Sequence, residues 1–464
     1  MRVLVCGSTG CVGSAVVHAL RSRGHKVIEG SRAATDGPHA LQLDYTQPVT
    51  PQAWAERLTA LRLDAVVNCV GILMPSRGQS FERVHAHGPI ELFRGAAIAG
   101  VRRIVQVSAL GVGGDAAGLA TPYLQSKLKA DDALASLALQ WAVLRPSLVY
   151  GPGSQSAALF ATLASLPAIG LPGRGAQPVQ PIHVYELAEA VARLVERPGD
   201  LRDVLELGGP AVMSYREMLA AYRAALGAGD AVWLRVPMPF MKLGAWLAEA
   251  LPQKVFCRDT IRLLERGSVP VVNAAPALLG RAPTPLAQGL AITPPEPLID
   301  LSVRLSPAVA LAVRGALAFM WLYTALVSAW LPLQSGALQL LARCGFEGTA
   351  GVAALVLSCA LNITLGVLTL VRPTPWLYVV QAGAVLGYTL TAAWHMPELT
   401  LDHCGPLVKN LPVLMAVLVL WMAHPAAVAQ ASRRTRSAAR AGAARGALLR
   451  SLLDGGASTS PAHR

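Results

Sequence analysis

The chain has 464 residues, of which 53% are apolar and only 14% charged, with a mean hydropathy of +0.45 and a formal net charge of +13. This length exceeds one ordinary domain, and this apolarity excludes a wholly soluble protein, so part of the chain is expected in a bilayer. The arginine excess follows the apolar region, which assigns the basic balance to an anionic membrane surface and not to nucleic acid. Seven scattered cysteines, with no CxxC pair and no His/Cys cluster, read as reduced thiols in a cytoplasmic protein, with no disulfide and no metal site expected. Met1-Arg2 leads straight into a strand pattern, so a signal peptide is not expected.

Residues 3–6 form a short apolar strand, and Gly7-Ser8-Thr9-Gly10-Cys11-Val12-Gly13 follows at once, ahead of an amphipathic helix to about Arg23. Strand, glycine loop and helix are the context of a dinucleotide fingerprint. Gly7 permits the tight turn, Gly10 lets backbone approach a pyrophosphate, and Gly13 lets the helix pack on the strand. The pyrophosphate would rest on the free N–H groups at the helix start. Residues 25–31 read as the second strand, ending at Ser31-Arg32. An acidic residue here would bind the ribose 2′-hydroxyl of NAD, whereas Arg32 suits a 2′-phosphate and points to NADP. A solvated loop arginine, with NAD as cofactor, is the alternative. Asp44 falls where related folds place a carboxylate beside the adenine, and an ordinary loop aspartate is the competing reading.

Residues 54–61 read as a helix and 64–71 as a buried strand carrying Asn68, Val70 and Gly71 at its carboxyl end, facing the cofactor crevice. A long helix over 81–99 precedes a strand over 103–108 that ends in Ser108. A helix over 121–137 and a strand over 140–145, running into Pro146-Ser147, complete the pattern. These alternating units predict an α/β fold with a Rossmann-type, doubly wound parallel sheet.

Tyr123 and Lys127 stand at i and i+4, about one turn apart on one helix face. A nearby ammonium lowers a phenol's pKa, so Tyr123 is expected to trade a proton with a substrate alcohol or carbonyl. Ser108 is placed to hydrogen-bond the same oxygen, and Lys127 to hold the nicotinamide ribose as well. A solvated helix pair is the simpler reading of Tyr-x-x-x-Lys; the order of motifs argues against it.

In GSTGCVG (7–13), NCVG (68–71), Ser108 of VSALG, YLQSK (123–127) and LRPSLVYGPG (144–153), the chain resembles the short-chain dehydrogenase/reductase superfamily. The glycine spacing and RPSLVYGPG are similar to its extended and atypical branches, which include nucleotide-sugar epimerases and dehydratases. QPVQPIHVYELAEAV (177–191) resembles the branch of the dehydrogenase-like accessory subunit of respiratory complex I. The resemblance implies Tyr123 as acid/base, Lys127 as its activator and ribose ligand, and Ser108 as donor to the substrate oxygen. His85 stands where related enzymes often have asparagine, which departs from an Asn-dependent proton relay. Some members of this branch bind the cofactor without known turnover.

Residues 226–300 should form the substrate side and a linker. His183 reads as a hydrogen-bonded structural histidine, with contact to substrate or cofactor as the alternative. Ser214 and Glu217 read as a capping box. Apolar-rich helices are expected over 237–250 and 256–264. The first suits either a membrane surface or a pocket cover. Residues 276–297 are proline-rich and read as a linker. Four apolar stretches follow, at 308–331, 349–371, 376–394 and 407–423, each near the ~20 residues of a span. Trp330, Trp376, Trp394 and Trp421 suit an interfacial belt. The tail carries Arg433, Arg434, Arg436, Arg440, Arg445 and Arg450, and Arg372 stands between the second and third spans. The third-to-fourth connection has no Lys or Arg, and Arg343 is a single contrary charge. Both ends are therefore expected in the cytoplasm, in a multi-pass protein of the cell inner membrane. Arg314 is expected to snorkel. His403, Lys409 and Asn410 read as interfacial side chains or as a polar site for a quinone or lipid headgroup. WLYTALVSAWLP (321–332) and GPLVKNLPVL (405–414) resemble the DoxX-like integral membrane family.

The expected organisation is a nucleotide-binding domain over 1–225, substrate-side helices and linker over 226–300, four spans over 301–425, and a basic cytoplasmic tail over 426–464. The tail is expected as disordered chain or a membrane-surface helix. The leading function is a membrane-anchored NAD(P)-dependent oxidoreductase or epimerase-type enzyme. It would act on a hydrophobic, lipid-like or membrane-associated carbonyl or alcohol, or on a quinone. The alternative is a non-catalytic NAD(P)H-binding module that docks a respiratory or other membrane-protein partner.

Overall fold

Apolar residues run without interruption along the central strands, and this determines the architecture. In β1 (Arg2–Cys6) Val3 and Val5 face one side, Leu4 and Cys6 face the other, and all four are buried. A sheet so covered must carry helices on both faces, the condition of a parallel sheet. The computed structural model describes residues 1–33, 37–76, 78–113, 121–166, 168–228, 231–248, 257–297, 307–330, 336–398 and 407–422. The described residues divide into two compact units, residues 1–297 and residues 307–422.

The first unit runs β1, α1 (Cys11–Ser22), β2 (Lys26–Ser31), β3 (Ala40–Gln42), α2 (Pro51–Leu61), β4 (Ala65–Asn68), a π-helical stretch Glu82–His87 leading into α3 (Gly88–Ile98), β5 (Arg103–Val107), α4 (Pro122–Ala135) and β6 (Gln140–Pro146). It continues with β7 (Val149–Tyr150), α5 (Gln155–Ser165), β8 (Ala168–Pro172), β9 (Pro178–Val179), β10 (Ile182–His183), α6 (Val184–Glu196), β11 (Arg202–Leu207), β12 (Met213–Ser214), α7 (Tyr215–Ala225) and β13 (Val232–Val236). It closes with α8 (Met238–Ala248), α9 (Arg258–Arg266), α10 (Ala275–Leu279) and α11 (Leu286–Ile292).

Seven strands form one parallel sheet in the order β11-β6-β5-β4-β1-β2-β3. The direction of winding reverses between β1 and β4, which opens a crevice at their carboxyl ends. Val16 and Leu20 of α1, Leu187, Val191 and Leu194 of α6 and Leu279 of α10 cover one face. Trp54 and Leu58 of α2, Leu92 and Phe93 of α3 and Ala130 and Leu134 of α4 cover the other. The doubly wound Rossmann-type sheet is thus as expected.

Three local features differ from the sequence reading. The helix expected over 81–99 contains a π turn, because Pro89 has no N–H and its ring would clash with the carbonyl four residues back in a continuous α-helix. The three-residue strand β3 was too short to be seen. The proline-rich stretch expected as a linker holds α10 and α11, whose Leu279, Leu286 and Leu290 are buried. Its prolines open helices instead of interrupting them, Pro276 in the first turn of α10 and Pro285 at the N-cap of α11. The capping box at α7 is present: Glu217 N–H donates to Ser214 Oγ (3.2 Å), and Ser214 N–H to Glu217 Oε2 (2.7 Å).

The second unit contains α12 (Pro307–Trp330), α13 (Ala337–Arg343), α14 (Gly348–Val371), α15 (Pro375–His395) and α16 (Asn410–Met422). Among the described residues three helices, α12, α14 and α15, are long and apolar enough to cross a bilayer. In the fourth stretch the described helix runs over Asn410–Met422. A Cβ on Gly366 would lie 2.7 Å from Leu322 Cγ and 3.2 Å from the Ala318 carbonyl oxygen, so this glycine lets α12 and α14 approach closely. Polar side chains inside the unit pair with one another: Gln381 Nε2 donates to Thr369 Oγ1, and Asn410 Nδ2 to Thr389 Oγ1 (2.7 Å). Asn410 is thus spent on a helix contact, Lys409 is exposed, and His403 lies outside the described residues, as does the basic tail. Arg343, the contrary charge, pairs with Glu398.

A Cβ at position 13 would lie 2.0 Å from the Gly7 carbonyl oxygen. Gly13→Ala is expected to force α1 away from β1 and to cost at least the ~1–3 kcal/mol typical of overpacking. A lowered melting temperature together with lost nucleotide binding checks this.

Candidate active site

Gly7 turns the chain out of β1 with φ of +77°, and the N–H groups of Gly7 and Ser8 both donate to the Gly30 carbonyl (2.8 and 3.1 Å). A Cβ at Gly7 would press on Val70, 3.1 Å from its Cγ2, whereas one at Gly10 would meet nothing nearer than the Gly7 carbonyl oxygen at 3.3 Å. Gly7 and Gly13 are therefore fixed by packing, and Gly10 keeps space open outside the loop. The first turn of α1 carries no side-chain cap, whereas Thr50, Thr121, Ser154, His183 and Ser214 cap α2, α4, α5, α6 and α7. An uncapped helix start behind an open glycine suits the pyrophosphate of a dinucleotide. Ser8 and Thr9 form the turn and Val12 packs on the core. Cys11 Sγ lies 3.3 Å from the Pro152 carbonyl oxygen, which brings the 151–153 turn against the loop, and burial pushes its thiol up to about 11.

Across the crevice, Cys69 N–H donates to the Cys6 carbonyl (3.0 Å) and carries residues 69–71 past the loop. The Asn68 side chain is spent within the sheet: it accepts from Tyr45 Oη (3.0 Å) and donates to Gln106 Oε1 (2.7 Å). Its backbone neighbours Val70 and Gly71, and not its amide, border the crevice. Arg32 is exposed just after β2. Asp44 Oδ1 accepts from the N–H and hydroxyl of Thr46 (2.9 and 2.8 Å), so part of this carboxylate closes a turn. The Pro146 carbonyl accepts from Leu110 N–H (3.1 Å) and fastens the loop after Ser108 to the end of β6.

Thr121 caps α4 and sets Tyr123, Lys127 and Asp131 on one face at i, i+4 and i+8. Lys127 is buried, its Nζ 3.4 Å from the Val107 carbonyl oxygen, and burial lowers it to about 8 against the opposing pull of Asp131. Tyr123 stands edge-on to Phe81 and His85, with ring centroids at 5.7 and 5.3 Å. Burial pushes its phenol above the usual range. The expected lowering by Lys127 is not found, because Nζ lies 5.8 Å from the Tyr123 ring centroid and bonds toward β5. At neutral pH Tyr123 is therefore a neutral phenol that holds its proton.

His85 Nε2 accepts from Ile72 N–H (2.9 Å), which leaves the ring proton on Nδ1 for Ser126 Oγ (3.1 Å). Ser126 Oγ donates to the Tyr123 carbonyl (2.8 Å). Burial, then Lys127, push His85 down to about 2, so it stays neutral with both nitrogens engaged. Ser108 Oγ donates to Asp131 Oδ2 (2.8 Å), which also takes Arg145 Nη2 (3.2 Å). With its proton committed, Ser108 offers a substrate lone pairs and no donor. Sequence reasoning missed Asp131 and Arg145. The signal was an acid four residues after Lys127, continuing the helix face. His183 is structural: Nδ1 accepts from Tyr185 N–H (3.2 Å) and Nε2 pairs with Thr293 Oγ1 (2.8 Å).

Parallel sheet, reversed winding and uncapped glycine loop define a Rossmann-type NAD(P)-binding domain. The profile of the NAD dependent epimerase/dehydratase family matches residues 3–208, and that of the DoxX-like family matches residues 318–418. The 3-diazoavenalumate denitrifying reductase of Streptomyces sp. is 30% identical over 226 residues, which are 42% of this chain and 72% of that protein. Similar solved structures include MoeE5 in complex with UDP-glucose and NAD, 22% identical with a TM-score of 0.47 over 63% of this chain and 96% of that one. Human epimerase family protein SDR39U1 with NADPH is 21% identical, with a TM-score of 0.46 over 62% of this chain and 98% of that one. The chain belongs to the NAD-dependent epimerase/dehydratase family through its first unit, and carries a DoxX-like domain after it.

The depressed Lys127 has a measurable signature. Its ammonium is disfavoured in the fold, so the penalty is complete below pH 8 and relieved as pH rises toward 10.5, where the unfolded lysine also loses its proton. Between these limits the wild type should gain a few kcal/mol over the Lys127→Met variant, at ~1.4 kcal/mol per pH unit. Thermal unfolding of both proteins across this window checks it.

Proposed function

We propose that this chain is a membrane-anchored NAD(P)-dependent oxidoreductase, or an epimerase-type enzyme, acting on a hydrophobic or membrane-associated carbonyl or alcohol. The observation that carries the reading is a neutral Tyr123 phenol and a buried Lys127 beside the carboxyl ends of β4 and β5. The nicotinamide, when bound, supplies or accepts a hydride. Tyr123 Oη gives its proton to the carbonyl oxygen in the reducing direction and recovers it in the oxidising one. Lys127 holds the nicotinamide ribose. Ser108, its hydroxyl held by Asp131, accepts a hydrogen bond from a substrate hydroxyl. Arg32 supports NADP over NAD by offering a guanidinium to a 2′-phosphate, and Asp44 keeps one carboxylate oxygen for the adenosine side.

The relative that reduces 3-diazoavenalumate supports the reductase direction. A DoxX-like domain and three apolar helices support a substrate met at a membrane, such as a lipid-like carbonyl or a quinone. The run of arginines after the last apolar helix, and the lack of Lys and Arg over 396–406, favour the inner membrane with both chain ends in the cytoplasm. One observation favours a second reading, a non-catalytic NAD(P)H-binding module that docks a respiratory or other membrane partner. His85, engaged at both nitrogens, passes no proton to Tyr123.

Fluorescence titration of the detergent-purified chain should show tight NADPH binding. It should weaken by ~1–3 kcal/mol in Arg32→Ala through loss of a charge-assisted phosphate contact. Tyr123→Phe should keep this binding and lose carbonyl-dependent NADPH oxidation by at least ~100-fold, the usual worth of a general acid. Binding with no turnover across a broad carbonyl panel would favour the second reading.

A further inference from the structure

α8 and α9 pack on each other, with Lys242 Nζ 3.0 Å from Glu265 Oε1. α9 in turn touches the rim of the candidate site. Arg266 Nη1 donates to the Gly111 carbonyl (3.2 Å), and Cys257 Sγ lies 4.0 Å from the Leu73 carbonyl oxygen. Gly111 follows Ser108, and Leu73 follows Gly71, so α9 borders both loops that leave the carboxyl ends of β4 and β5. α8 is the outer layer of this cover. It presents Phe240, Leu243 and Trp246 at 65, 51 and 55% exposure, spaced as one helical stripe, while Ala245 on its inner side is buried. Three large apolar side chains in one stripe form a patch, unlike the single exposed residues common on soluble surfaces.

We propose that this stripe of α8 lies in the headgroup layer of the bilayer that holds the chain's own spans. Residues 298–306 join the unit in sequence to the first apolar helix, so the chain itself ties this unit to a candidate membrane span. The charge of the segment agrees. Residues 232–266 carry Arg235, Lys242, Lys254, Arg258, Arg262 and Arg266 against Glu249, Asp259 and Glu265, a balance favourable to an anionic leaflet. Tryptophan and phenylalanine beside a lysine on a short helix are the composition of an interfacial element. The docking itself needs no assumption about turnover. Its consequence rests on the proposed function: the cover of the site stands in lipid, and a membrane-dissolved substrate reaches the loops that α9 borders without crossing water.

The experiment places p-benzoylphenylalanine at position 240 in place of Phe240 in the full chain, in nanodiscs of phosphatidylcholine and phosphatidylglycerol. A second protein carries the probe in place of Ile98, exposed at the end of α3 on the amino edge of the sheet. Unchanged melting temperatures show that both proteins fold. After irradiation, mass spectrometry of the probe peptides should find phospholipid adducts at position 240 about tenfold above position 98, as an interfacial helix requires. Adducts at 240 to polypeptide, whether a second copy or this chain, would overturn the proposal. So would equal lipid labelling at both positions, or no lipid labelling at 240. Crosslinking needs no turnover, so failure of the enzymatic reading and failure of docking are seen separately.

Discussion

The contact between α1 and the end of β1 is the constraint on which the rest depends. No side chain fits between Gly13 and the Gly7 carbonyl, so the helix start is pressed onto the strand end. That proximity lines up the uncapped N–H groups with the crevice between β1 and β4. It also fixes where residues 69–71 must pass, because Cys69 bonds to Cys6 and Val70 packs on Gly7. The nucleotide cradle and its opposite wall are thus one piece of packing.

The second constraint is a set of buried charges. Asp131 and Arg145 pair behind Ser108, and Lys127 lies one helical turn before Asp131, where an uncompensated charge would be strongly destabilising. Their mutual arrangement fixes the direction of the Ser108 hydroxyl and leaves Tyr123 without an ammonium close enough to acidify it. Burial, and not ion pairing, dominates the titration of the site: it raises the Tyr123 phenol and disfavours the Lys127 ammonium.

The fold was legible because its signals are local and repeated. The β1 run, the glycine loop and the alternation of apolar strands with helices each needed only neighbouring residues. The site was legible in part. Lys127 of α4 reaches the Val107 carbonyl beside Ser108, but the hydrogen bonds of these side chains run to groups far apart in sequence, and no periodicity reports those. Asn68 shows this: its strand-end place was readable, its capture by Tyr45 and Gln106 was not. The linker reading of 276–297 went astray because proline starts helices as readily as it breaks them, and Leu279, Leu286 and Leu290 decide between the two by burial.

α11 is the last described element before the first apolar helix, and it is fastened firmly. Gly289 lies against Tyr150, where even a Cβ would come within 2.1 Å of the phenol oxygen, and Thr293 is bonded to His183 at the start of α6. Pull arriving along the chain from the membrane therefore passes into the β7–β10 pair and the long α6. α6 packs in turn on α1, the helix that follows the glycine loop, so this path ends at the cradle's own wall. The segment that leaves the first unit is thus rooted in its core, at the helix packed against α1, and not in a surface loop.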